Sequence, residues 1–258
     1  MNMKKEVKKR GQVTIFIIIA LVIVALGVLI YLFYPQISTA LGFEEKNPYV
    51  FMQTCLEDEI QTNVNILSLQ GGSLEPEFYY LYNNEKTEYL CYTVEDYATC
   101  VMQQPMLKEH IEAEIEKEIK EEVTDCFNSL KDSYENRGYS VNLQTGDTKV
   151  ELLPKRIVTS FTHTLTLTKD GTERYDKFKI ILNNNLYELV SIANSILSWE
   201  TRYGDAETTI YMDYYHNLKV EKLKQSDGTK IYILTDRDTQ DKFQFATRSG
   251  AWPAGYGE

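Results

Sequence analysis

Residues 161–168 read FTHTLTLT. Phe161, His163, Leu165 and Leu167 alternate with Thr162, Thr164, Thr166 and Thr168, a period of two that sets one group on each face of a β-strand. The same period holds on both sides. Val141 and Leu143, then Val150 and Leu152, flank a turn expected at Thr145-Gly146-Asp147, and Phe178, Ile180 and Leu182 follow a turn at Asp170-Gly171. The pattern predicts a four-stranded antiparallel meander with one buried face. A helix from Asn184-Asn185, with Leu186, Leu189, Val190, Ala193, Ile196 and Leu197 on one side, is expected to cover that face.

Outward toward the N-terminus the period changes to that of helices. Leu107, Ile111, Ile115, Ile119, Val123, Phe127 and Leu130 form one apolar stripe after Pro105, ended by Asn136-Arg137-Gly138, and the Glu and Lys residues between them read as a solvated face. Before it, Met52, Leu56, Ile60, Val64 and Leu67 mark a helix that starts at Asn47-Pro48 and stops at Gly71-Gly72. Between the two, the tyrosine-rich stretch Glu75 to Thr93 turns at Asn83-Asn84 and predicts a hairpin. Outward toward the C-terminus, strands are expected at Thr208 to Tyr214, Leu218 to Gln225, Lys230 to Thr235 and Lys242 to Thr247, with a turn at Asp227-Gly228. Residues 249–258 form a tail expected to be mobile. The fold class is therefore α+β over residues 48–248, with a subdivision near 138.

The N-terminal end is of another kind. From Val13 to Phe33 no charge interrupts 21 residues, and a helix of that length covers about 31 Å, one bilayer core. Residues 12–34 read as a transmembrane helix that meets lipid through residues 13–33, preceded by a basic segment, 1–11, and followed by a linker, 35–47. Lys4, Lys5, Lys8, Lys9 and Arg10 precede the helix, while Tyr34 to Glu45 has no Lys or Arg, so the N-terminus is expected on the cytoplasmic side and everything after Tyr34 outside. The apolar run is longer than a cleaved signal-peptide core, which favours retention over release after Ser38-Thr39-Ala40. Beyond Gly11 the chain carries 22 basic and 37 acidic residues, net −15, which disfavours nucleic acid as a partner.

All four cysteines, Cys55, Cys91, Cys100 and Cys126, lie beyond this helix. An even number on the oxidising side implies disulfides with three connectivities. Cys55 faces Cys126 if the two helices that carry them pack antiparallel, and Cys91 and Cys100 would then close a small loop. No C-x-x-C and no zinc-type histidine spacing occurs, so neither metal nor cofactor is expected.

Residues 8–16, KKRGQVTIF, place Gly11 and Gln12 between a basic run and the apolar helix, with Thr14 third after the glycine and Phe16 fifth. This resembles the class III, type IV pilin-like signal of archaeal surface proteins. The resemblance implies a dedicated signal peptidase that would cut between Gly11 and Gln12 and leave the helix on the mature protein. The exterior part is similar to a group of uncharacterised membrane-anchored proteins of small-genome archaea, through Cys55-Leu56-Glu57, Gln70-Gly71-Gly72, Cys126 before Gly138-Tyr139-Ser140-Val141, and Phe243 to Ala246. That likeness implies an exported, anchored domain.

Candidate site residues are few. His163 stands on the alternating strand, where a satisfied structural histidine is the commoner outcome. Asp236, Asp238 and Asp241 are spaced like a loose calcium loop but lack the glycine and the final glutamate of an EF-hand. Glu109, His110 and Glu114 share a helix turn among many other carboxylates. No nucleophile elbow, glycine-rich phosphate loop or HExxH occurs, so no catalytic residue is assigned and an enzyme ranks third among the readings. Aromatic clusters at Phe78 to Tyr82 and Tyr211 to Tyr215 are recognition surfaces if exposed and core if not. The leading expectation is a non-enzymatic surface or envelope protein working through protein contacts or self-association, and the alternative is a minor pilin or pseudopilin.

Overall fold

The computed structural model describes residues 47–252. Contacts divide the chain into a unit 1–47 and a unit 48–258, and the second is described below. The expected transmembrane segment 12–34, its basic flank and the Gly11-Gln12 bond lie outside the described residues. Within the described residues no helix is long and apolar enough to cross a membrane.

Helix α1, Pro48–Leu69, buries Met52, Leu56, Ile60, Val64 and Leu67, as its spacing requires. Gly71 and Gly72 stop it at φ 86° and 104°, and a Cβ there would lie 2.7 Å from Glu88 Cβ and 2.9 Å from Ile111 Cγ1. Both conformation and space demand glycine.

The second apolar stripe forms two helices instead of one, α2 at Leu107–Glu118 and α3 at Lys120–Glu135. Apolar residues placed strictly four apart rotate about 40° per step around a helix of 3.6 residues per turn. A straight rod would carry Leu107 and Phe127 to different sides. The break at Ile119 lets Leu107, Ile111, Ile115, Ile119, Val123 and Phe127 all stay buried.

Six strands follow: β4 Ser140–Gln144, β5 Thr148–Leu153, β6 Arg156–Phe161, β7 Thr164–Thr168, β8 Thr172–Tyr175 and β9 Phe178–Asn183. They form two three-stranded antiparallel sheets, β4-β7-β8 and β5-β6-β9. The expected four-stranded meander is thus corrected. Three long runs, 140–153, 156–168 and 172–183, pair in sequence, and each bends in the middle so that its halves enter different sheets. Thr145-Gly146-Asp147 is such a bend and not a reversal. It crosses the Thr162 bend so closely that a Cβ on Gly146 would sit 2.4 Å from the Thr162 carbonyl carbon. Asp147 N–H donates to Thr162 Oγ1 at 2.7 Å and Thr162 N–H to the Asp147 carbonyl at 2.9 Å. The reversal comes at Pro154-Lys155, where Lys155 takes φ 61°.

The remaining strands, β1 Tyr79–Tyr82, β2 Glu85–Tyr92, β3 Val101–Met102, β10 Leu218–Lys224, β11 Thr229–Asp236 and β12 Lys242–Arg248, make a six-stranded sheet ordered β1-β2-β12-β11-β10, with β3 paired to β2. All its pairings are antiparallel except β12 with β2. The hairpin turn expected at Asn83-Asn84 is present, both residues at positive φ.

Helix α4, Leu186–Tyr203, ends on Gly204 at φ 80°. It packs mainly on β11 and β12, and more lightly on β5 and β6, so the meander strands are covered chiefly by α1 on β9, α2 on β5 and α3 on β4. Helices α1 and α4 each touch both sheet systems, and a single main core runs through this helical layer. Residues 209–214, expected as a strand, form the short helix α5, Thr209–Tyr214. Its β-branched and aromatic composition reads as strand, but only Tyr211 turns fully inward, where its hydroxyl lies 2.8 Å from Ser195 Oγ. The first residues of the expected loose tail are held: Ser249 Oγ donates to the Glu200 carbonyl, and Gly250 N–H to that of Ala98.

Candidate functional site

Both disulfides form. Cys55 on α1 joins Cys126 on α3, with Cα atoms 6.1 Å apart, and Cys91 joins Cys100 at 5.4 Å. Exposed Glu122 stands near the first bridge, but both sulfurs are spent on each other, so this group is no metal site.

Of Glu109, His110 and Glu114, the last two turn together to the Ser73-Leu74 loop and the first does not. Glu109 is exposed. His110 Nε2 lies 2.8 Å from Ser73 Oγ, Ser73 Oγ donates to Glu88 Oε2 at 2.6 Å, and Gln104 Nε2 approaches His110 Nδ1 at 3.4 Å. Glu114 accepts the Leu74 N–H at 3.1 Å. Burial pushes the Glu88 carboxyl up to about 7, opposed by the Ser73 hydrogen bond and aided by the charge of Glu114. Burial also lowers His110, against the pull of Glu114. A serine hydrogen-bonded to a histidine is the geometry of a nucleophile and its base. Here, however, Ser73 is only 6 % exposed, and the network ties the Gly71-Gly72 loop to α2 and β2. Its role in this fold is to close a loop. Glu88 and Ser73 were not legible as partners, because they are 15 residues apart and meet only through the glycine turn.

His163 sits at the bend between β6 and β7. Its ring stacks on Phe127 with centroids 4.2 Å apart, and its Nδ1 is buried with no hydrogen-bond partner among the described residues. Burial lowers its pKa against the charge of Asp147, so the neutral ring is favoured. It lines a half-open cleft of about 450 Å³ together with Thr145, Lys117 and Lys120.

The three aspartates do not form a calcium loop. Asp236 Oδ1 accepts the N–H groups of Asp238 and Thr239, and its Oδ2 accepts both Asn185 Nδ2 and Asn217 Nδ2. Asp241 accepts Asn184 Nδ2 and the Asn185 N–H, and Asp238 is exposed. Oxygens already saturated by donors do not coordinate an ion.

The aromatic clusters divide by exposure. In the second, Tyr211 is core, while Tyr214 and Tyr215 are exposed and meet edge to face at 4.7 Å. The first is the larger surface. Phe78, Tyr79 and Leu81 are exposed, Leu81 by 62 %, and Tyr80 and Tyr82 are half-buried. Phe78, Tyr89 and Tyr92 form a mutual cluster with centroids 4.6 to 5.0 Å apart. Tyr89 and Tyr92 lie with Ile231 and Ala246 in a small apolar cluster separate from the main core. Strand β1 pairs only with β2, so its outer edge is open among the described strands. From Phe78 to Tyr82 that edge carries no charge and no proline, the devices that normally blunt an edge.

No family model, no curated protein and no solved structure matches this chain.

Proposed function

We propose that this chain is a membrane-anchored, outward-facing protein whose folded unit works by binding other proteins, without catalysis. The observation that carries the reading is the open, uncharged aromatic edge at β1. An exposed strand edge recruits an extended segment through backbone hydrogen bonds, and alternate side chains supply the specificity. Aromatic residues are also enriched at interfaces and dominate their energetics. The cysteines fit the same placement, since all four are paired and paired cysteines persist in oxidising compartments. Anchoring rests on the uncharged run from Val13 to Phe33, and the direction on the basic residues before it.

The test is photo-crosslinking in cells from a reactive residue at Leu81 of the full chain, with exposed Lys219 as the control position. Discrete protein adducts from Leu81 alone are expected. Equal labelling from both positions, or none from either, rejects the edge as the contact surface. A product of twice the chain mass would identify self-association, as the filament reading requires.

A further inference from the structure

A second concavity lies against Asp236, at the end of β11. It has a volume of about 370 Å³, within the range of small-molecule sites. Leu189, Ile192 and Leu218 give it apolar walls, and Tyr187 and Tyr215 line it with rings. Two side-chain amides, Asn185 and Asn217, and the carboxylate of Asp236 complete it.

The amides are held. Asn185 Nδ2 and Asn217 Nδ2 donate to the same oxygen of Asp236, at 2.9 and 2.8 Å. A carboxylate only accepts, so the chemistry decides which end of each amide faces it: the NH₂ groups. The carbonyl oxygens must therefore turn away from Asp236, and neither has a donor among the described residues. Asp236 is itself fixed by the N–H groups of Asp238 and Thr239, and the Asn217 backbone is pinned where its carbonyl accepts the Arg237 N–H at 2.7 Å. Neither tyrosine hydroxyl has a partner among the described residues. The lining thus holds two amides whose NH₂ groups are committed to one buried carboxylate, and two phenols, beside apolar side chains.

The ligand chemistry follows from these groups. Two free carbonyl oxygens ask for donors, the phenols both give and accept, and the apolar walls and rings ask for a C–H face. An anion would meet carbonyl oxygens and the carboxylates of Asp236 and Glu188 with nothing but Lys155 in compensation. A ring with hydroxyls on its rim and C–H groups on its face suits the amides, the phenols and the apolar walls together. We propose that this pocket binds a saccharide through Asn185, Asn217, Tyr187 and Tyr215. The proposal is independent of the contact surface at β1.

The experiment is saturation-transfer NMR and calorimetry on the full chain in detergent micelles, with a panel of free hexoses, N-acetylhexosamines, uronic acids and their disaccharides. At least one neutral sugar binds saturably, and Asn217→Ala and Tyr215→Ala each weaken it by tenfold or more, with the urea unfolding midpoint of Tyr215→Ala left in place. Tyr215 is 44 % exposed, so its replacement keeps the fold testable even where Asn217→Ala does not. Absence of binding by every sugar in the panel overturns the proposal. So does binding that neither variant weakens, or preferential binding of a simple organic ammonium ion such as choline.

Discussion

Lys230 Nζ lies 2.6 Å from Glu200 Oε2, and the two side chains are 5 % and 0 % exposed. The contact is electrostatic and off the hydrogen-bonding axis, since Oε2 has no donor in hydrogen-bond geometry, while Oε1 takes the Tyr232 hydroxyl and the Ala206 N–H. Burial, and the charge of Glu200, hold the Tyr232 phenol well above its ordinary pKa, so it stays a donor. The group ties the end of α4 to β11.

Removing one member of such a pair strands the other charge in the core, at a cost of about 3–5 kcal/mol. Lys230→Met is expected to lose that much in urea unfolding. The double variant Lys230→Met with Glu200→Gln should recover a large part of it, because the stranded charge is gone. Equal losses in the single and double variants would show that packing and not charge is responsible.

The two disulfides close loops of very different length, with sequence separations of 71 and 9. In the chain-entropy account the first contributes about 4 kcal/mol and the second about 3. Replacing Cys55 and Cys126 by alanine should therefore lower the urea midpoint more than replacing Cys91 and Cys100. The reverse order would place the stabilisation in local packing around β2 and β3.

Glu88 gives the fold a pH dependence of definite sign. Its folded pKa of about 7 exceeds the ordinary 4.5. Between those values the folded protein keeps a proton that the unfolded chain has released, so stability falls as pH rises through this window. Glu88→Gln should flatten that slope when unfolding midpoints are compared at pH 4.5, 6 and 8. His110, lowered by burial, works in the opposite sense below its ordinary 6.5: stability falls as pH drops. Its contribution persists in the Glu88 variant.

The proposed anchoring leaves two routes to the membrane, which the mature N-terminus distinguishes. On the class III resemblance, the intact mass of protein from native membranes begins at Gln12. A mass beginning at Met1 or Asn2 would leave an uncut anchor and remove the basis for a filament.

Regular patterns carried most of the fold. The stripes of α1 and α4, the Asn83-Asn84 turn and the Asp227-Gly228 hairpin were all legible, because each rests on residues close in sequence. What was not legible depends on contacts between distant residues. Thr145-Gly146-Asp147 has the composition of a turn, and only its crossing with Thr162 makes it a bend. Residues 209–214 have strand composition, yet Tyr211 is drawn to Ser195 on α4. The saccharide pocket was hidden for the same reason: Asp236 reads as part of an acidic turn until Asn185 and Asn217, 51 and 19 residues away, arrive on one of its oxygens.

The parallel pairing of β12 with β2 sets a timetable for the protein's birth. Strand β2 ends at Tyr92 and its central neighbour begins only at Lys242, so the ribosome adds about 150 residues before the sheet can close, roughly ten to thirty seconds at ordinary elongation rates. During that interval the aromatic hairpin of β1 and β2 has two open edges instead of one. The nascent hairpin thus exposes, beside the edge of β1, a second edge that β12 later covers, and whatever shields it must act before the last strand is made.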